Sequence, residues 1–277
     1  MANNTAVKYN EAALERFRKG SLTDAIMRGQ FDWTGAKSIV LTTNDLGSLA
    51  DYTRSGIYRY GTPTELGNTQ DTLTLTKDRA FSYTIDKRGR QEAALTNDAG
   101  ATLARTIDQV IVPEIDAYRL AAVIAACPAA HKPSAAALTK SNAYAAFLAL
   151  QEFLDEDRVP QVGRVMVATP AAINFLKQDT AFVKSGDLSQ EMLVRGQIGE
   201  VDGVAIVKAP SAMLAGSGHT DMLLFHQDAV AAPVVLEEYK IHEDPPGISG
   251  WLVEGRICYD AFVLDTLVNG VAQYVHA

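Results

Sequence analysis

The chain has 277 residues, a formal net charge of -8 and only two cysteines, Cys127 and Cys258. That acidity argues against a nucleic-acid-binding surface. The lack of a Cys-x-x-Cys spacing excludes a zinc knuckle or redox pair of that kind, and two lone thiols suit a reducing compartment. Hydrophobic residues make up 47% of the chain, and neither a signal core at MANNTAVKYNEAALERF nor a bilayer-length apolar window is present. The chain therefore reads as a folded cytoplasmic protein of one large or two modest domains.

Residues 10–28 read as a short amphipathic helix broken at Gly20. Ala13, Leu14 and Phe17 form an apolar patch, Ser21 recaps the second piece, and Leu22, Ile26 and Met27 follow. A segment this short needs support from its own body or from another copy. Lys37–Thr42 is a β-branched strand. From Leu46 to Gln70, Gly47, Gly56, Gly61, Pro63 and Gly67 alternate with Tyr52, Tyr58 and Tyr60. That is too much turn chemistry for a core and too many aromatics for a linker. The stretch reads as an extended excursion whose rings need a surface, on a neighbouring copy or on the chain itself. Thr72–Thr76 and Phe81–Ile85 alternate polar and apolar residues, predicting a hairpin or two consecutive strands. Asp86–Arg90 is a solvated turn.

The organising stretch is Thr96–Cys127. On a helix, Leu103, Ile107, Val110, Ala117, Ala121 and Ile124 form one stripe, with Ile111 and Tyr118 beside it. Arg105, Asp108, Asp116 and Arg119 fall opposite, on an expected wet face. Thr96, Asn97 and Asp98 supply capping oxygens, and Pro128 helps stop the helix. Roughly 30 residues make a strut of about 45 Å. Pro113 should kink it. Glu114 lies on the apolar stripe, where a lone carboxylate is costly. It must meet solvent, a partner in the chain or a neighbouring subunit.

Pro128–Lys140 reads as a crossing between lobes. Ser141–Asp157 is helical, capped by Ser141 or Asn142, with Tyr144, Phe147, Leu148, Phe153 and Leu154 on its buried side. Arg164–Ala168 is a continuous apolar strand. Thr169–Pro170 opens another helix carrying Ala172, Ile173, Phe175 and Leu176. This order builds an α/β layer. Asp179–Gln190 is a loop, Asp202–Gly203 a hairpin turn, and Pro210–Thr220 an exposed turn. Asp221–Phe225 and Glu237–Ile241 are strands, with Pro233 marking a boundary or edge between them. Asp244–Gly247 is a turn, and Gly250–Val275 forms two strand-like runs. The fold class is α+β.

Reactive constellations do not emerge. There is no Gly-x-Ser-x-Gly elbow and no phosphate loop, and Gly196–Gly199 lacks the rest of a dinucleotide fingerprint. His226 and His242, with Asp228, Glu237, Glu238 and Glu243 nearby in sequence, lack metal-ligand spacing. Cys258 reads as a small buried hydrophobe. No catalytic, cofactor-binding or metal residue is assigned, and the chain is expected to act through its surfaces. An enzyme using His226, His242 and Cys258 is a remote alternative.

At Val112-Pro113-Glu114-Ile115-Asp116-Ala117-Tyr118-Arg119 the chain resembles the major capsid proteins of tailed bacteriophages. Upstream, Phe31–Ala36, Asp51–Gly56, Tyr60–Pro63, Lys77–Phe81 and Ile85–Lys87 resemble that family's segments in the same order. Downstream, Gly199–Val204 and the terminal strands do too. The resemblance implies the shell fold shared by tailed phages, herpesviruses and encapsulins. It would make 1–35 an N-arm, 36–45 a peripheral-domain strand and 46–76 an extended loop lying on a neighbour. Residues 77–140 would be a peripheral domain with spine helix 96–127, 141–232 an axial domain, and 233–277 the return strands of the peripheral domain. It implies a non-enzymatic shell protein without cofactors, whose partner is itself, in hexamers and pentamers around packaged double-stranded DNA. Its location would be the virion, assembled in the host cytoplasm, with no membrane partner. Any scaffold would be a separate protein, or the chain would have been processed, and portal and decoration proteins would be separate partners. Lys77, Lys87 and Asn269 match the lysine–asparagine crosslink of some members by residue type only. An encapsulin-type nanocompartment shell is the alternative.

Overall fold

The computed structural model describes residues 21–27, 33, 38–92, 99–133, 136–179, 199–214 and 220–275. Two units emerge, one of residues 32–76 and one of residues 1–31 with 77–277. In the small unit, β1 (Ser38–Asn44) and β2 (Asn68–Thr74) form an antiparallel ribbon, Ser38 opposite Thr74 and Asn44 opposite Asn68.

In the large unit, β3 (Lys77–Asp86) leads into a short helix, α1 (Lys87–Glu92). Three consecutive pieces then make the strut. They are α2 (Ala99–Thr106), a π-helical turn over Ile107–Ile111, and α3 (Val112–Ala126). The expected caps at 96–98 lie outside the described residues. After α4 (Ala143–Glu156) come β4 (Arg164–Ala168) and α5 (Pro170–Gln178). Next are β5 (Glu200–Val201), β6 (Val204–Lys208) and β7 (Thr220–His226). The chain continues through β8 (Val230–Ala231), β9 (Val234–Glu243) and β10 (Gly250–Tyr259). β11 (Phe262–Val263) and β12 (Val271–Val275) follow.

Local chemistry accounts for several boundaries. The Thr169 hydroxyl accepts from Ala172 N at 3.2 Å ahead of Pro170 at the first helical position of α5. Asp202 and Gly203 both have positive φ, 51° and 75°, the geometry of a tight hairpin turn. Asn142 occupies the α4 cap position, but its Oδ1 accepts from Thr139 instead of a helix N–H, so the expected side-chain cap is not formed.

A five-stranded sheet, β12-β7-β4-β6-β5, holds the main core. Its strands alternate between two buried faces. Met166 of β4 and Met222 and Leu224 of β7 face α4 and α5, joining Phe147, Leu150, Leu154 and Leu176. Val165 and Val167 of β4 and Leu223 and Phe225 of β7 face the other way, joining Leu120, Val123 and Ile124 of α3. Leu214 belongs to that second layer and is fully buried, so the stretch after Pro210 is not wholly exposed.

The second sheet, β3-β10-β9, is antiparallel throughout. Ile257 and Tyr259 pack on Ile111 and Ile115, and Val253 with Ile85 packs near Ala99. The strut thus lies on the three-stranded sheet with its first half and on the five-stranded sheet with its second.

Of the two readings of the alternating runs, consecutive strands holds and the hairpin does not, because β2 pairs with β1 and β3 with β10. The terminal segment also divides, because β9 and β10 flank the strut while β12 pairs with β7. Pro233 sits between β8, which pairs with β11, and β9, which pairs with β10, consistent with a boundary there.

The strut carries the largest correction. The Val112 N–H reaches back to Ile107 O, five residues away, so one extra residue enters the turn. Downstream side chains are rotated by about one residue relative to an ideal helix. Ile111, Ile115, Leu120, Val123 and Ile124 are buried, whereas Val110, on the projected stripe, is 58% exposed. Asp116 and Arg119, projected onto a wet face, are 1% and 3% exposed.

Candidate functional site

The remote enzymatic constellation does not assemble. His226 ends β7, its Nε2 near Val162 O at 2.9 Å and its Nδ1 accepting from Asp228 N at 3.1 Å. His242 lies on β9, 3.6 Å from Glu254, on the other sheet. Cys258 pairs across from Leu236 and His242 from Leu252, six residues apart on the same ladder, or roughly 20 Å. Cys258 is also half-buried on the outer face of β10 instead of in a core. Among the described residues no group of three His, Cys, Asp or Glu side chains could hold a metal.

The surfaces are more informative. Between β1 and β2 the small unit runs through a long open stretch. Leu46, Leu49, Ile57 and Tyr60 are 96%, 103%, 92% and 86% exposed. Backbone bonds shape it: Asp45 N to Gly67 O at 3.0 Å, Thr53 N to Arg59 O at 3.0 Å, Gly61 N to Tyr58 O at 3.2 Å. Tyr52 and Tyr60 meet edge to face at 5.1 Å between centroids. Gly56, with φ of 102°, makes the tip turn that a side chain would strain. So much bare apolar surface on an ordered scaffold marks an interaction surface.

A second feature is a strap, Ser21–Met27, fastened across α3. One carboxylate, Asp116, accepts from Ser21 Oγ at 2.8 Å, Leu22 N at 2.8 Å, Thr23 N at 3.3 Å and Thr23 Oγ1 at 2.6 Å. Arg119 donates to Thr23 Oγ1 at 2.9 Å and to Ala232 O at 3.2 Å, and pairs with Asp24 at 2.5 Å. Ser21 Oγ also accepts from Asp24 N at 3.2 Å, the recapping expected of it. Ile26 and Met27 insert beside Leu120, Val123 and Ile124. These charge-assisted bonds in a buried setting are the strong kind. The strap lies on its own body; the segment before it is outside the described residues. Sequence reasoning missed this anchor because helical periodicity sorts charges outward, and nothing local announces a strap that arrives from 95 residues away.

A third cluster settles Glu114. Its carboxylate pairs with Arg79 at 3.0 Å and accepts from the Tyr259 hydroxyl at 3.5 Å. Burial pushes the Tyr259 hydroxyl above its ordinary value, with the Glu114 charge adding to it. Beside it, Tyr118 donates to the buried Asp260 at 2.7 Å, meets Tyr259 edge to face, and lies under Lys77 Nζ at 5.0 Å. Of the remaining crosslink candidates, Lys87 pairs with Asp244, and Asn269 lies in the 3₁₀ stretch Asp265–Gly270.

Solved structures match this chain over almost its whole length. A structure from Mycobacterium phage Che8 is 16% identical, covers 99% of this chain and 98% of its own, and has a TM-score of 0.79. The capsid structure of Cyanophage P-SCSP1u is 15% identical, with 100% and 97% covered and a TM-score of 0.75. The capsid of Myoviridae phage XM1 is 10% identical, with 100% and 99% covered and a TM-score of 0.66. No family model and no curated protein matches the sequence. The chain has the tailed-phage capsid fold, in the α+β class expected of it. At these identities the likeness is one of fold.

Proposed function

We propose that this chain is the major capsid protein of a tailed bacteriophage, a non-enzymatic subunit that assembles into an icosahedral shell around double-stranded DNA. The observation that carries the reading is the open stretch between β1 and β2, where Leu46, Leu49, Ile57 and Tyr60 are almost fully exposed on a chain with a capsid fold. Burying roughly 100 Å² of such surface per side chain on a sibling would contribute about 2–3 kcal/mol each. Repeated over many copies, modest contacts hold a closed shell.

In this reading 1–35 is the N-arm, 36–45 a peripheral-domain strand and 46–76 the loop that reaches a neighbour. Residues 77–140 carry the spine, 141–232 form the lobe near the symmetry axes, and 233–277 return. Copies meet as hexamers and pentamers, with scaffold, portal and decoration proteins as further partners. DNA is enclosed without sequence-specific contact, and the net charge of -8 suits a wall that does not cling to polyanion. Assembly takes place in the host cytoplasm and the product resides in the virion. No helix among the described residues is long and apolar enough to cross a membrane.

Electron microscopy of the purified protein tests this. Closed shells are expected, with nuclease-protected DNA when made in an infected host. Only small discrete oligomers under every assembly condition would overturn the reading, and copurifying protein cargo in place of DNA would move it to an encapsulin-type compartment.

A further inference from the structure

Beside the strap anchor, under the π-helical turn, lies a cavity of about 90 Å³. Its walls are Ile107, Ile111, Val112 and Ile115 of the strut, Val234 and Ile257 of the sheet, and the polar residues Ser21, Asp24, Arg119, Glu237 and Tyr239. Arg119 is 3% exposed, and its Nε–H has no acceptor among the described protein groups, although Nη1 donates to Thr23 Oγ1 and Asp24 of the strap and Nη2 donates to Ala232 O. The Tyr239 hydroxyl is likewise buried without a bond of good geometry. Burial, and then the nearby Glu237 carboxylate, push that hydroxyl up to about 12, so it stays a donor at neutral pH. A buried guanidinium N–H with nothing to donate to is costly.

We propose that this cavity is a built hydration site, whose ligand is a small cluster of ordered water bridging Arg119 Nε and the Tyr239 hydroxyl to the Asp24 and Glu237 carboxylates. The chemistry of the walls selects this occupant. Two donors face two acceptors, a pattern that water completes and that an anion, repelled by both carboxylates, does not. The volume suffices for at least about three waters at the ~30 Å³ each takes in the liquid. The apolar remainder of the lining comes from the strut, Ile107 and Ile111 of the π turn with Val112 and Ile115 after it, and from Val234 and Ile257 of the sheet. Asp24 stands at the strap side with its carboxylate 67% exposed, giving the site a path to bulk solvent. The inference rests on the fold alone and is independent of the assembly reading.

A map of the whole protein at about 2 Å tests it directly. At least one solvent peak is expected within about 3.2 Å of Arg119 Nε. A cavity without peaks, or with Arg119 Nε donating directly to Glu237, overturns it. Filling variants give an independent sign. In a dry cavity Val112→Ile, or Val234→Ile on the opposite wall, adds apolar contact and raises Tm by about 2 °C. In a wet one the added methyl displaces water from a buried cation, and Tm stays level or falls. A rise of about 2 °C in either variant overturns the proposal.

Discussion

Gly255 shows how much one missing side chain decides. A Cβ there would come within 2.7 Å of Tyr239 and closer still to Phe81, whose rings close over the glycine from the two flanking strands. Gly255→Ala should cost about 1–3 kcal/mol by overpacking, read as a lower Tm with near-native far-UV dichroism. Asp116 is the more consequential residue. Asp116→Ala leaves the Leu22 N–H and the Thr23 hydroxyl unpaired in a buried setting, for a loss of about 2–4 kcal/mol. Limited proteolysis should then cut near Ser21, and Asp116→Asn should restore part of the protection. The two thiols separate on the same logic. Burial pushes both thiols up, Cys127 to about 11, so exposure is what separates them: Cys127 is buried and Cys258 half-exposed. Mass spectrometry after alkylation at pH 8 should find Cys258 modified in the native protein and Cys127 only after unfolding.

Among elements, the strut shows what a sequence pattern conveys and where it stops. Its extent from Ala99 to Ala126, its alanine-rich end and its role as the backbone of the large unit follow from spacing. The π turn does not, because a one-residue slip leaves each local window looking helical while changing which faces are covered beyond it. Pro113 lacks the N–H that would answer Gln109 O, and the widened turn just before it accommodates the ring. The β1–β2 excursion was legible from its glycines and tyrosines, since turn chemistry and aromatic content conflict in any ordinary loop. Its pairing was not, because strand periodicity fixes faces but not partners. Deleting Gly56–Gly67 should leave the large unit folded, with near-native dichroism, and should abolish shells under electron microscopy. Normal closed shells from that deletion would show that the excursion does not hold siblings together.

For the whole molecule, the layered arrangement follows from composition and order. A β4 that is apolar from Val165 to Ala168 and lies between two helices reads as a central strand, and Arg164–Ala168 is buried at every position. The anchor and the hydrated cavity were hidden because both depend on contacts between distant segments, 94 residues apart for Leu22 and Asp116. One further consequence comes from β12. Val271, Ala272 and Gln273 are at most 1% exposed, and they pair with β7 to finish the five-stranded sheet. Until residues 271–275 have left the ribosome, β7 presents a bare edge and the layer beneath it lacks a wall. β12 is thus the cover that closes this edge, and a chain in which residues 271–275 have not docked is open to pairing with other chains instead of closing on itself.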